Sequence, residues 1–323
     1  MCPVASSSFP AGKPGASAPR SAAKGHRPRP HPVGGRHNGW QLIYGRNAVR
    51  EALRGKRRVH KVLVAMRDAR SRSGVGRSDD ALGEMVAVWS AQGAGPRPTV
   101  QQVTPEELTS LLGTADHQGV AAEVDPYPYL EEAEILAGYT LTVALDGVQD
   151  PHNLGAVIRT AECVGAAVVI PRHRAVEVTP AVVRASAGAT EHAAVAQVRN
   201  LGDFLCAAKE AGFWVYGAAA GAGAPYGSED FTYPTCFVLG SEGEGLGRRV
   251  SSLCDALVHL PLLGKVGSLN VSVTAGVLLY EALRQRASGR AGTLSDRVSD
   301  CGEHAGAGQG EAASPPFYPD EGG

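Results

Sequence analysis

The sequence predicts an α/β protein of two domains, the larger one built on a mainly parallel, doubly wound sheet. Three observations carry this expectation. The 323 residues are 43% apolar and 20% charged, which leaves room for two cores. From residue 140 onward, short apolar runs alternate with segments of helical periodicity, as strands joined by crossover helices do. Both ends differ sharply in composition from the middle, so the folded part lies between them.

Residues 1–38 hold six Lys or Arg, three His and no acid among many Pro, Gly, Ser and Ala. Such a segment buries too little apolar surface to order itself and is expected to be a disordered basic arm. Residues 288–323 carry six acids against two Arg and are expected to be a disordered acidic tail.

The first domain is expected over 39–125. YGRNAVREALRG opens it as a short helix with Val49 and Leu53 four apart, and VHKVLVA reads as a strand. A helix is predicted over 81–91, then the strand PTVQQV, a helix opened by Thr104 with Pro105 and Glu107 behind it, and HQGVAAEV. Between positions 45 and 77, eleven basic residues stand against two acids, which suits a polyanionic partner and equally a solvated surface. PYPYLEEAEILAGY, with its prolines and acids, is expected as a linker over 126–139.

The second domain is expected over 140–287. It reads as LTVALD, a helix capped by Asn153, AAVVI, a helix near Pro180, AVAQV, a helix from Leu201, FWVYGA, CFVLG, a helix near Leu246, ALVHLPL and a long last helix. Ligands of such sheets gather beyond the carboxyl ends of the strands, and three loops there are polar and glycine-rich. In DPHNLGAVIRTAEC the apolar stripe is Leu154, Val157, Ile158 and Ala161, which leaves Arg159 off the core face, near Gly155. VLGSEGEGLGRRV leaves a strand through four glycines, where backbone amides can meet a ligand. Its spacing is not that of a dinucleotide loop, and Glu242 and Glu244 would repel phosphates. LLGKVGSLN also lacks the spacing of a nucleoside-triphosphate loop. It sets Lys265, Ser268 and Asn270 at the mouth of the last helix, where Ser and Asn are also ordinary caps.

Six cysteines, Cys2, Cys163, Cys206, Cys236, Cys254 and Cys301, show no close pair and no metal-ligand spacing. Reduced, buried thiols and no metal are expected. No window reaches the roughly 18 apolar residues of a membrane span, and the start lacks the apolar core of a secretory signal. A cytoplasmic protein with no membrane partner is expected.

Read together, DPHNLGAVIRTAE, FVLGSEGEGLG and LPLLGKVGSLNVSVTAGVLLYEALRQR closely resemble the three motifs of the SpoU (TrmH-like) RNA 2′-O-ribose methyltransferases. YGRNAVREAL and HQGVAAEV look like that family's N-terminal substrate-binding domain, and the pattern is most similar to the RlmB-type 23S rRNA guanosine methyltransferases. The resemblance covers 40–286. It implies a SPOUT domain threaded as a deep trefoil knot, preceded by a small L30e-like α/β substrate-binding domain. It implies S-adenosylmethionine held in the knot by Gly240, Leu260 and Leu269, largely through backbone groups. The catalytic set it implies is Asn153, Arg159, Glu242, Ser268 and Asn270. It further implies a homodimer with a shared site, Arg159 reaching the partner's cofactor, and 23S rRNA as substrate. A tRNA ribose methyltransferase and a noncatalytic, RNA-binding ribosome-assembly factor are the alternatives.

Overall fold

The structure, a computed structural model, describes residues 39–66, 97–173 and 175–289. The basic arm, the helix expected over 81–91 and the acidic tail from 290 onward lie outside the described residues.

The first sheet contains β1 (Gln41–Tyr44), β2 (Val59–Ala65), β3 (Thr99–Val103) and β4 (Val120–Val124), in the order β1-β4-β2-β3. β4 runs antiparallel to β1 and β2, whereas β2 and β3 are parallel. Helix α1 (Arg46–Arg54) buries Ala48, Val49, Ala52 and Leu53, the stripe that its four-residue spacing predicts. Helix α2 (Pro105–Leu112) starts with the expected capping box: Glu107 N donates to Thr104 Oγ1 at 3.2 Å, and Thr104 N donates to the Glu107 carboxylate at 2.8 Å.

The segment expected as a linker is packed. The Tyr127 hydroxyl donates to Thr190 O at 3.0 Å, Val178 N donates to the Tyr129 oxygen at 2.8 Å, and helix α3 (Glu132–Gly138) buries Ile135. The prolines stop at Pro128, and the run EEAEIL after them consists of good helix formers. Beside it, the buried Arg57 donates Nε to Glu191 Oε2 at 3.0 Å, Nη2 to Glu191 Oε1 and Nη1 to Gln41 Oε1 at 2.6 Å. This ion pair ties the turn after α1 to a chain segment 134 residues away.

The second sheet holds β5 (Leu141–Asp146), β6 (Ala167–Pro171), β7 (Val195–Val198), β8 (Trp214–Ala218), β9 (Ala224–Pro225), β10 (Thr235–Gly240) and β11 (Ala256–His259). All its ladders are parallel, in the order β7-β6-β5-β10-β8-β11-β9. The chain steps from β5 to β6 to β7 in one direction. It then crosses to lay β8 on the far side of β5, and β10 fills the slot between them. Helices α4 (Pro151–Cys163), α5 (Pro180–Ala185), α6 (Leu201–Glu210), α7 (Arg248–Leu253) and α8 (Val271–Gly289) complete the layers. All the expected strands of this domain are present, and the two-residue β9 is an addition.

Helix α4 departs from expectation at its start. Its cap is Asp150, whose Oδ1 accepts from His152 N at 3.0 Å, and Pro151 takes the first helical position. Asn153 therefore lies inside the first turn, 7% exposed, with its side chain released from capping. Leu154, Val157, Ile158 and Ala161 are fully buried, as expected. Gly155 is not on an open face, because a Cβ there would stand 2.5 Å from Ala185 Cβ of α5. The cysteine expectation holds for Cys236 and fails for Cys163 and Cys206, which are exposed. Their apolar neighbours belong to the buried faces of α4 and α6, and the thiols fall on the outer faces. Among the described residues no helix is long and apolar enough to cross a membrane.

Candidate active site

Parallel strands end on one edge, and the register places Gly240 beside Asp146 and Leu239 beside Ala218. The loops after β5, β8 and β10 therefore start next to one another. Two cavities open along this edge and share a wall that includes Ser241, Glu242, Glu244 and Val271.

The smaller cavity, of about 610 Å³, is lined by Ala218–Ala220 and Ala222 after β8, by Leu260 and Leu262 after β11, and by Ser268 and Leu269 before α8. Gly240, Leu260 and Leu269, the residues expected to hold a cofactor, all line it, together with Glu242 and Ser268. Gly240 is required sterically, since a Cβ would lie 2.0 Å from the Gly245 carbonyl carbon. The loop doubles back there, with Gly245 N donating to Ser241 O at 3.0 Å. The turn passes through Gly243 at φ 95°, a region that side chains disfavour.

Three residues from three separate motifs meet at the shared wall. Asn153 Nδ2 donates to Glu242 Oε1 at 2.8 Å, and Asn270 Nδ2 donates to the same oxygen at 2.7 Å and to Asn153 Oδ1 at 2.9 Å. Two amides bonding a carboxylate give stronger bonds than neutral pairs do. They hold a rigid acceptor whose second oxygen, Oε2, has no hydrogen-bond partner among the described residues. The oxygen of the Asn270 side chain meanwhile accepts from Ser272 N at 2.8 Å, capping α8.

Arg159 is the expected site residue that a single chain does not bring in. It is exposed on α4, lines neither cavity, and its side chain makes no hydrogen bond or ion pair with a described residue. Lys265 also lines neither cavity.

The chemistry open to this site is limited. Among the described residues no group of His, Cys, Asp or Glu could hold a metal. Burial pushes the Cys236 thiol up to about 12 and the Cys254 thiol up to about 11, the latter against the opposing charge of Lys209. Neither offers a thiolate for covalent catalysis near neutral pH. What remains is a hydrogen-bonding, orienting constellation beside a mostly apolar pocket.

Sequence reasoning missed two parts of this edge. Asp146 Oδ2 accepts from Gly247 N at 2.9 Å, fastening the end of β5 to the start of α7. The small residues after β8 form a cavity wall, although AAAGAG reads in sequence as no more than a flexible turn. The aspartate before Gly147 at a strand end was an available signal; the wall required the strand order.

A family model described as the SpoU rRNA methylase family matches residues 140–280. Another, described as RNA 2′-O ribose methyltransferase substrate binding, matches 42–130. The chain is 40% identical over 251 residues to the putative TrmH family tRNA/rRNA methyltransferase YacO of Bacillus subtilis, covering 76% of this chain and 95% of that protein. The crystal structure of the SpoU methyltransferase AviRb from Streptomyces viridochromogenes is similar with a TM-score of 0.63 at 27% identity, over 78% of this chain and 92% of that one. The complex of AviRb with AdoMet gives a TM-score of 0.61 at 26% identity, over the same shares of 78% and 92%. Two domain models in the expected order, a relative matched over nearly its whole length and a common fold lead to one conclusion: the chain belongs to the SpoU (TrmH) family of RNA methyltransferases.

Proposed function

We propose that the chain transfers the methyl group of S-adenosylmethionine to the 2′-hydroxyl of a guanosine ribose in 23S rRNA, in the cytoplasm. The observation that carries this reading is the Asn153–Glu242–Asn270 triangle set into the wall between two cavities. One cavity suits a cofactor and the other a substrate.

The smaller cavity fits the cofactor. Its volume of about 610 Å³ lies within the range of about 300–1,000 Å³ typical of small-ligand sites. Its glycine and alanine walls bring backbone groups to the surface, as an adenosine moiety needs. Gly240, Leu260 and Leu269 hold the cofactor, and AviRb binding AdoMet supports that role. When bound, S-adenosylmethionine supplies an electrophilic methyl group on a sulfonium.

The chain's own part is alignment. Glu242, held by both asparagines, presents Oε2 to the ribose hydroxyl, and Ser268 and Asn270 orient the sugar. Arg159 is exposed on α4 and lines neither of its own chain's cavities, which suits a role in the partner's site. A guanidinium stays protonated up to a pH above about 12, so Arg159 clamps a phosphate and stabilises the developing alkoxide, and the proton lost from the hydroxyl passes to that phosphate.

A homodimer belongs to the same reading. Leu262, Leu263, Val266, Leu269, Val273 and Tyr280 are large, exposed and apolar, and all lie on the loop before α8 or on α8 itself. A second copy covers them. The knotted threading after β10 is also part of the reading, supported by the likeness to SpoU methyltransferase structures.

The test is methyl transfer from labelled S-adenosylmethionine to unmodified large-subunit rRNA, with mapping of the 2′-O-methyl position and Asn270→Ala as control. One mapped guanosine is expected. Signal on tRNA alone would overturn the substrate. No transfer by a folded, cofactor-binding protein would mark a noncatalytic RNA-binding factor.

A further inference from the structure

The larger cavity encloses about 1520 Å³, beyond the roughly 300–1,000 Å³ that small ligands occupy. It runs past the carboxyl ends of β5, β6 and β7 and ends at the wall holding Asn153 and Glu242. Its charged groups divide into two kinds.

The carboxylates are nearly all held in place, most of them by neutral donors that leave their charge. Asp146 accepts from Gly247 N at 2.9 Å, Asp150 accepts from His152 N at 3.0 Å, Glu242 accepts from two asparagines, and Asp203 lies 4.0 Å from Arg249. Glu244 alone has no such partner among the described residues. Apart from Arg249, the basic side chains are not engaged. Arg199, Arg248 and His173 are exposed, line the cavity, and have side chains without a hydrogen bond or ion pair to a described residue. They come from three different places, the loops after β6 and β7 and the start of α7. No local helix or hairpin pairing accounts for three unspent donors converging on one polar trough.

We propose that this trough seats the RNA strand flanking the target ribose, with Arg199 and Arg248 as its phosphate contacts. The inference rests on the RNA methyltransferase reading and deepens it. Arg offers a planar fork that matches phosphate oxygens. The triangle at the trough's inner end sets where the ribose stops, so the two arginines fix the register of the strand entering it. A duplex keeps its riboses along the outside of a stacked helix and cannot lower one into a trough of this size. The seat therefore takes unpaired RNA with the target nucleotide splayed out.

The experiment uses the full chain and a fragment of large-subunit rRNA, single-stranded or annealed to its complement. Binding is followed by fluorescence anisotropy between low and moderate salt, and KM and kcat are measured where turnover is seen. Arg199→Ala and Arg248→Ala are each expected to weaken single-strand binding about tenfold and to lower the salt slope by roughly 0.7, one phosphate contact on a single strand. In both, KM for the single strand should rise, while the S-adenosylmethionine Kd stays at its wild-type value. Glu244→Gln should tighten binding by removing the one unspent carboxylate, and Arg249→Ala, already facing Asp203, should do less than either arginine. Unchanged affinity and salt slope in Arg199→Ala and Arg248→Ala would overturn the seat, as would equal binding of the annealed fragment. A wild type that binds the strand with the expected salt slope and transfers no methyl group would instead count against the proposed activity and leave the seat standing.

Discussion

Asn270 donates its side-chain amide to Glu242 at 2.7 Å while the oxygen of that same amide caps helix α8. One residue thus supplies a fold function and a site function through opposite ends of one group. Serine caps about as well as asparagine and lacks the two amide protons. Asn270→Ser is expected to keep the thermal midpoint of the wild type and lose at least about 100-fold in turnover. Asn270→Ala should lose the same activity and, in addition, about 1 kcal/mol of stability. If Asn270→Ser kept nearly full turnover, the triangle would be a structural brace alone.

Glu242 accepts both asparagine amides on Oε1, and glutamine can keep an oxygen there while losing the charge. Glu242→Gln is therefore expected to fold normally and to fall in kcat by roughly 10- to 100-fold, since a neutral acceptor makes weaker bonds than a charged one. A complete loss, with the pH–rate profile altered, would mean that the carboxylate itself takes the proton.

Gly240 offers a steric test of the smaller cavity. A methyl group there collides with the backbone of Gly245 at 2.0 Å, so Gly240→Ala must push the 241–246 loop outward. Calorimetry should show the S-adenosylmethionine Kd raised at least about tenfold, because backbone cannot retract as a side chain tip can. Unchanged affinity would place the cofactor elsewhere.

Much of the parallel sheet was legible because strands covered on both faces read as unbroken apolar runs, as LTVALD and CFVLG do. The cap of α4 was misread because Asp150 and Asn153 are equally good capping types. Pro151, which belongs at the first helical position, was the deciding signal. Asn153, Glu242 and Asn270 each stand in a motif visible in the sequence, but the triangle they form is not visible there. Asn153 and Asn270 are 117 residues apart, and no periodicity within either segment relates them. The trough was hidden for the same reason: Arg199 and Arg248 become neighbours of one cavity only once β7 and β10 are placed in the sheet.

The pair Arg57–Glu191, with side chains 2% and 1% exposed, predicts a strong asymmetry between single and double changes. Arg57→Met alone strands a carboxylate in the interior and should cost about 3–5 kcal/mol in denaturant unfolding. Arg57→Met combined with Glu191→Leu removes both charges and should recover to within about 1 kcal/mol of the wild type. Additive losses would show that the two side chains act separately.

His117 predicts a pH dependence. Its Nδ1 accepts from Gly119 N at 3.0 Å, which leaves the proton on Nε2, 3.0 Å from Thr109 Oγ1. Burial, then the charge of Arg184, hold its pKa below the ordinary histidine value, with Asp116 opposing. The native state thus binds fewer protons than the unfolded chain. The contribution is complete above about pH 6.5 and is lost as pH falls toward the depressed value. The stability of the wild type minus that of His117→Gln should be flat above about pH 7 and decline toward pH 5. Parallel curves over that range would remove His117 as the source.

Arg159 lies outside both cavities of its own chain, and a site shared between subunits turns that position into a complementation test. Arg159→Ala and Asn270→Ala are each expected to be inactive as homodimers. In a mixed dimer one site carries both substitutions and the other carries neither. With random pairing, half the dimers are mixed and half of their sites are intact, so about a quarter of wild-type activity should return. Arg159→Lys, which keeps the charge and loses the planar fork, should remain strongly impaired. Mixed dimers shown by mass to have formed, yet inactive, would place Arg159 in the site of its own chain and require α4 to move on binding RNA.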